Sequence, residues 1–516
     1  MQALPDIEYD LVVAGSGFGG VMAALPAVLA GRRVLMLERG DWIRRSPDNW
    51  GPEGFFELTG AYSRETPFQV DAGEAPPSLG LLTSVGGASV FFGGVSLRLR
   101  ERDFLPDREI DPAGTALWPY AYAGLEPYYA RAEAILGVAG LAGEDPTEPP
   151  RSAPFPHRPG PLAPISSQVA EAARALGLRP FRLPLAINYT ATAERHACQS
   201  CNTCDGFACA VSAKNDLATT AIADLCRRGL DLRAGTVVTS LVVSGRRVTR
   251  VEAVDRTSGQ RLSVRCRAVV VAAGALATPQ ILLGSGLDRL NPAGEHVGRY
   301  LMRHANAVVM GAFARQPAPD REFHKQLGIH DYYDGHPSVG APAGKLGSIQ
   351  QWGTPQTDYI LRYIPRWQHA IAKVGMPHVT GFIVIAEDQP SGDNRVSLTT
   401  HTTAFGLRQA AIAHQYGARD HAARRALATA AASILRRAGA LATFVRRIPT
   451  FSHALGTVRL GPDPALAPLD PSGAFRGLDN VYVTDASALP RSGGVNPSLT
   501  IAANALRTGD IIRDRL

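Results

Sequence analysis

The most hydrophobic stretches of this 516-residue chain are short, unbroken and bounded by glycine: Leu11–Ala14, Val34–Leu37, Val269–Gly274 and Asn480–Asp485. Unbroken runs of this length predict strands buried on both faces, as in a parallel sheet, because a half-exposed strand alternates instead. The runs lie hundreds of residues apart, so the sheet they form must be assembled from distant pieces of chain. Between Arg233 and Val271 the pattern changes to short β-rich runs broken at Ser244-Gly245-Arg246-Arg247 and Thr257-Ser258-Gly259-Gln260. This predicts an antiparallel insertion with two hairpin turns. Ala418–Ala438, rich in Ala and Leu with arginines on one side, predicts a solvated amphipathic helix. Pro146–Pro164 and Arg315–Pro319 predict surface connections. No repeat is visible, and no apolar run approaches the length of a membrane span.

The first two runs frame a specific motif. Asp10-Leu-Val-Val-Ala-Gly15-Ser16-Gly17-Phe-Gly-Gly20 leads into a small-residue helix, and Val34-Leu-Met-Leu-Glu38-Arg39 follows. The first glycine permits the turn, Gly17 admits a pyrophosphate to the backbone, and Gly20 lets the helix pack close to the sheet. The helix N-terminus offers N–H groups and partial positive charge to phosphate. Glu38 closes the second strand 18 residues after Gly20, where a carboxylate accepts hydrogen bonds from ribose hydroxyls. Strand, turn, helix, strand and terminal acid together point to a dinucleotide.

Composition narrows the class. Hydrophobic residues make up 45% and charged residues 19%, as in a globular protein with ample core. The formal charge of +7 does not indicate nucleic acid: only four lysines occur, and the arginines are scattered rather than striped. The N-terminal residues show no export signal, so a cytoplasmic location is expected.

Four further segments fit together. They are Ser84-Val-Gly86-Gly87-Ala88-Ser89-Val-Phe91-Phe92-Gly93-Gly94, Ala272-Ala273-Gly274-Ala-Leu-Ala-Thr278-Pro279, Val297-Gly298-Arg299-Tyr-Leu-Met-Arg-His304, and Ser452-His453-Ala-Leu-Gly456-Thr457. Tyr482-Val-Thr-Asp485-Ala486-Ser487 and Gly494-Val-Asn496-Pro497-Ser-Leu-Thr500 complete the last of them. In this order and spacing the chain resembles the glucose–methanol–choline (GMC) oxidoreductases. Its C-terminal part is most similar to the cholesterol-oxidase and bacterial sugar-oxidase branches.

The resemblance implies an α/β fold: a Rossmann-type FAD-binding domain interleaved with an α+β substrate domain built on an antiparallel sheet, as in p-hydroxybenzoate-hydroxylase-like proteins. Residues 1–150, 190–304 and 451–516 would form the FAD domain; 151–189 and 305–450 would form the substrate domain. The expected cofactor contacts are Gly15, Ser16, Gly17, Gly20, Glu38, Arg39, Gly86, Gly87, Ala88, Gly93, Ala273, Gly274, Ala486, Asn496 and Pro497. Asp485 is expected to hydrogen-bond the ribityl or pyrophosphate region. Val238 resembles the position whose backbone holds adenine. Relatives carry an asparagine or a flavin-linking histidine in the Gly86–Gly94 loop, where this chain has Phe91-Phe92. Its first histidine is His157, so FAD is expected to be held non-covalently.

Chemistry agrees with the resemblance. Alcohol oxidation by hydride transfer to flavin N5 needs a base at the hydroxyl with a pKa near working pH, which favours histidine. His453 precedes a tight Gly456-Thr457 turn, and Asn496 offers an amide to orient the substrate oxygen. Pro497 keeps Asn496 out of helical dihedrals. The resemblance makes His453 and Asn496 the catalytic pair and His304 structural. His324, His330 and His336 are expected at the surface.

Cys198, Cys201, Cys204 and Cys209 have spacings that allow a metal or iron–sulfur site. Similar runs hold a cluster in some sugar dehydrogenases and form a plain or disulfide-bonded loop elsewhere. The plain or disulfide-bonded loop is the expectation, with a cluster and then zinc as the alternatives and His196 either a fifth ligand or a loop residue. Cys226 and Cys266 are expected to be packing residues. The leading function is oxidation of a small-molecule alcohol to a carbonyl, with oxygen or another acceptor reoxidising the flavin. A flavin lyase of the same fold and an iron–sulfur dehydrogenase subunit stand as alternatives. Tyr332, Tyr333, Trp352, Tyr359, Tyr363 and Trp367, interleaved with Gln350, Gln351, Gln356 and Asp358, suit either a sugar-stacking pocket or a sheet core. This mixture favours a sugar, polyol or aminoglycoside-type hydroxyl, as in aminoglycoside-pathway members of the family, over a sterol or long-chain alcohol.

Overall fold

In the computed structural model, which describes residues 7–51, 62–73, 78–320, 322–335, 345–361 and 364–516, the unbroken apolar runs meet in one sheet. Glu8–Ala14 lies between Val34–Leu37 and Arg261–Val271, parallel to both. Asp231–Arg233 extends the sheet on one side and Val481–Val483 on the other, again in parallel. Every residue of Leu11–Ala14 and Val34–Leu37 is buried, which is why these runs have no polar alternation.

The antiparallel insertion forms as expected. Thr236–Ser244 and Arg247–Asp255 pair as a hairpin, and the second strand pairs antiparallel with the first half of Arg261–Val271. That long strand therefore serves two sheets in one: Arg261–Arg265 meet the hairpin, and Val269–Val271 meet Val481–Val483. The helices Phe18–Leu29 and Ser498–Arg515 pack on each other beside the sheet, Gly509 lying against the backbone of Ala23.

A second, antiparallel sheet runs in the order Ala442–Arg447, Ala305–Ala312, Val379–Ala386, Gly347–Trp352, Leu327–Ile329 and Phe181–Arg182. The helix Ala418–Arg437 lies across it, burying Ala423, Leu427, Ala431, Ile434 and Leu435 with Ala307, Val309, Phe382 and Val384. The expectation of a solvated helix is corrected here: one whole face is core, and even Arg424 is buried. A third sheet joins Arg395–Thr402 and Arg408–Ala413 to Tyr62–Asp71 and Ser78–Leu82. It thus ties a piece of the first 150 residues to the segment 305–450.

Candidate active site

The turn between Glu8–Ala14 and the helix Phe18–Leu29 is built by exclusion. Gly15 has φ +103°, and a Cβ there would strike the carbonyl of Ala272 on the neighbouring strand. A Cβ on Gly20 would strike the carbonyl of Gly15, so this glycine seats the helix on the turn. At Gly17 the same test meets nothing within 4 Å. No side chain caps the helix, and its first turn holds no acid, which suits an anion at its unpaired N–H groups.

Glu38 is held from three directions. It accepts hydrogen bonds from the Ser16 N–H at 2.9 Å, the Ser16 hydroxyl at 2.6 Å and the Gly40 N–H at 2.8 Å. Burial pushes its carboxyl up, opposed by those same donors. Ser16 Oγ in turn accepts from Gly86 N–H at 2.9 Å, and a Cβ on Gly87 would come within 2.9 Å of Gly17 Cα. The Gly86–Gly94 loop is thereby clamped against the glycine turn.

These pieces wall a cavity of about 350 Å³. Of the expected contacts, Gly15, Ser16, Gly17, Glu38, Arg39, Gly87, Ala88, Val238, Ala273, Gly274, Asp485, Ala486 and Pro497 line it, and so does His453. Gly20, Gly86, Gly93 and Asn496 do not. Gly20 packs helix on turn, Gly86 holds Ser16, and Gly93 lies under the ion pair of Asp205 and Lys325. Asp485 borders the cavity, yet its carboxylate is already occupied. It accepts from Gly274 N–H and Ser487 N–H, each at 2.8 Å, and from the Thr278 and Ser487 hydroxyls. It shapes the Gly274 turn. Phe92 packs edge-on against Phe18, with ring centroids 5.4 Å apart.

His453 sits on a segment, Thr450–Ala454, that lines the cavity. Its Nδ1 lies 3.2 Å from Nδ1 of His304. Burial, then the neighbouring His304 and Lys325, push His453 well below the usual imidazole range. Its imidazole is neutral at neutral pH. Asn496 is fixed by Gln350, whose Nε2 donates to Asn496 Oδ1 at 2.7 Å. With its oxygen so engaged, the amide has its N–H groups left to donate. Gln350 was seen in the sequence only as part of an aromatic–amide mixture; nothing in the spacing ties it to Asn496.

Several expectations are corrected. His324 and His330 are fully buried rather than at the surface. His324 accepts from Thr354 N–H at 3.0 Å through Nε2, and His330 pairs with Asp145 at 2.8 Å. His336 and Tyr363 lie outside the described residues, as does the Tyr359 side chain. Tyr333 is core, its hydroxyl donating to Asp103 at 2.7 Å, whereas Trp367 is exposed. None of the described aromatics of segment 332–367 borders the cavity; Tyr332 and Tyr333 are buried in the core, and Trp352 is half-buried. Cys226 is exposed, not packed; Cys266 is buried.

Cys198, Cys201, Cys204 and Cys209 are free thiols. Among the described residues no group of His, Cys, Asp and Glu is arranged to hold a metal ion. Burial pushes the Cys198 thiol up to about 11 and the Cys204 thiol well above its ordinary value. The run is anchored by buried Lys214, which donates to the carbonyls of Phe92, Cys204 and Phe207 at 2.7–2.9 Å. Replacing Cys201 and Cys204 together by serine is expected to lower the melting temperature while the rate of flavin reduction stays near the parent's, since a buried hydroxyl without a partner costs about 1–3 kcal/mol. Rapid-mixing reduction and thermal melts check this.

The glycine cradle beside a helix N-terminus, with a carboxylate at the next strand end, is that of a dinucleotide-binding oxidoreductase. Models of the GMC oxidoreductases match residues 83–306 and 377–505, and the chain belongs to this family. It is 31% identical to the 6'''-hydroxyparomomycin C oxidase of Streptomyces lividus, over 99% of this chain and 92% of that protein. It is 32% identical to the paromamine 6'-oxidase of Streptomyces fradiae, over 98% and 92%. The solved structure of pyridoxine 4-oxidase from Mesorbium loti shares the fold, with a TM-score of 0.66 at 19% identity over 98% of this chain and 99% of that one. The chain is therefore an alcohol oxidase or dehydrogenase with FAD as cofactor. Among the described residues no helix is long and apolar enough to cross a membrane.

Proposed function

We propose that this enzyme oxidises a hydroxyl of an amino sugar or related polyhydroxylated ring to the carbonyl, with FAD held non-covalently. The observation that carries the substrate class is the identity, over nearly the whole chain, to two proteins named as oxidases of aminoglycoside compounds. Non-covalent binding is supported by the cavity wall: among the described lining residues the only histidine is His453, and there is no cysteine or tyrosine.

When bound, FAD supplies the hydride acceptor. The chain's own residues do the rest. Gly17 and the first turn of Phe18–Leu29 take the pyrophosphate, and Glu38 takes the ribose hydroxyls. His453 accepts the hydroxyl proton of the substrate, so that the carbon releases its hydride as the C–O bond becomes a carbonyl. Asn496 donates an N–H to the same oxygen and steadies its developing charge. The same reading assigns residues 1–150, 190–304 and 451–516 to the FAD half and 151–189 and 305–450 to the substrate half.

The deciding experiment is an anaerobic bleaching screen. Aminoglycosides, simple sugars, sterols and long-chain alcohols are each mixed with the oxidised enzyme. Bleaching by an aminoglycoside or sugar supports the proposal; bleaching by cholesterol or a long-chain alcohol alone overturns it. Bands that persist while product forms would instead mark a lyase. Acid precipitation of the same preparation is expected to leave yellow FAD in the supernatant. Colour remaining in the pellet would contradict non-covalent binding.

A further inference from the structure

We infer that His304 is a positioning residue that sets the proton of His453, making Nε2 of His453 the basic atom. The inference rests on the reading of His453 as the base and says how that base is prepared.

His304 is fully buried and holds a left-handed backbone, φ +57°. That conformation is unfavourable for a residue with a Cβ, and it persists only where the surroundings enforce it. Here they do. Nε2 of His304 lies 3.2 Å from the carbonyl of Ser492 and 3.0 Å from that of Gly493, while the Tyr416 hydroxyl donates to the His304 carbonyl at 2.7 Å.

The proton positions follow in sequence. Carbonyl oxygens only accept, so Nε2 of His304 carries a hydrogen. Burial lowers the His304 pKa, only partly offset by Asp388 and Glu387, so the ring is neutral and its Nδ1 is a lone pair. Nδ1 of His453, 3.2 Å away, must then be the donor. The neutral His453 ring has one proton, which is now spent. Its lone pair is on Nε2, which takes no hydrogen bond among the described residues and belongs to a side chain bordering the cavity.

The arrangement does two things at once. It removes the tautomer in which His453 would present an N–H to the substrate hydroxyl and be unable to accept its proton. It also ties the base to the loop of its partner, because Ser492 and Gly493 lie just before Asn496. A third group that orients a catalytic imidazole through its far nitrogen is a recurrent device, built here from a second histidine and two carbonyls.

The test is nitrogen-15 NMR of the FAD-loaded enzyme labelled at histidine, with His453→Ala and His304→Leu used for assignment. Expected is a protonated Nδ1 and an unprotonated Nε2 for His453, and the reverse for His304. A His453 proton on Nε2 would overturn the inference whatever the kinetics. His304→Leu is expected to slow flavin reduction about ten- to a hundredfold, the usual weight of an orienting partner. His304→Asn, which tolerates left-handed backbone and restores an acceptor, is expected to recover much of that rate. Equal rates in the Leu and Asn variants would overturn the positioning role. Should the Leu variant fail to fold, the spectrum of the parent still decides the tautomer. Parent-rate reduction by His453→Ala would remove the base reading itself, a failure distinct from a wrong tautomer.

Discussion

Replacing His453 with alanine is expected to lower the rate of flavin reduction by about two to four decades, the usual worth of a positioned general base, while FAD stays bound. The selectivity follows from the construction of the cavity. The groups read as holding the dinucleotide come from the Gly15–Gly20 turn, Glu38 and the Gly86–Ala88 loop; His453 comes from the separate Thr450–Ala454 wall. Burial, His304 and Lys325 keep its imidazole well below the usual range. The neutral form is the base, so reduction should be fast and flat from neutral pH upward and fall only as acid protonates the ring. Asn496→Ala is expected to slow reduction as well, with FAD content unchanged. Anaerobic rapid mixing of each variant with substrate gives the rates, and protein-normalised flavin absorbance gives the content. A His453→Ala enzyme reducing at the parent rate would end the assignment.

The second large effect is on stability. Lys345→Met is expected to destabilise the protein by about 3–5 kcal/mol, the cost of stranding buried charges. Lys345 is fully buried and pairs with both Asp103 and Glu387. Arg491 also reaches Glu387, at 3.1 Å, and Tyr333 donates to Asp103 at 2.7 Å. Without the ammonium, the buried carboxylates of Asp103 and Glu387 lose their shared cation. This network also holds the Asn496 loop: Gly493 N–H donates to Glu387 at 3.2 Å, and Gly494 N–H donates to the Tyr333 hydroxyl at 3.0 Å. The variant should therefore reduce its flavin more slowly as well.

The pH dependence of the parent follows from the same cluster. Against the cost of burial, Arg491 and Lys345 hold the Glu387 carboxyl well below its ordinary value of 4.5. A folded pKa below the unfolded one contributes stability that is complete above about 4.5 and is lost as pH falls through the depressed value. Denaturant melts of parent and variant from neutral pH into acid measure both effects. Equal stability of the two at neutral pH would refute the assigned role of Lys345.

The elements legible in the sequence were those whose signal is local. Leu11–Ala14 and Val34–Leu37 read as buried strands because both faces are covered, and Gly15 and Gly20 because only glycine fits there. The hairpin turns at Gly245 and Gly259 were legible for the same reason. What misled was composition without position. His324 and His330 were placed at the surface as polar residues in a variable segment, yet each finds a hydrogen-bond partner that makes its burial tolerable. The helix Ala418–Arg437 looked solvated from its arginines, but its alanines let it lie flat on a sheet formed from segments far away in the chain.

From the sequence alone one can derive the dinucleotide cradle, the acid that ends the second strand, and the candidate residue types for base and orienting amide. Each depends on neighbours within about one supersecondary unit. The tertiary structure decided which groups prepare those residues. His304 meets His453 across 149 positions, and Gln350 meets Asn496 across 146. Asp485 joins Gly274, Thr278 and Ser487 at the cavity edge through its carboxylate. Such contacts leave no periodicity or spacing to read, because they are fixed by how separate sheets and loops pack. A hydrogen bond depends on distances and angles that only that packing sets.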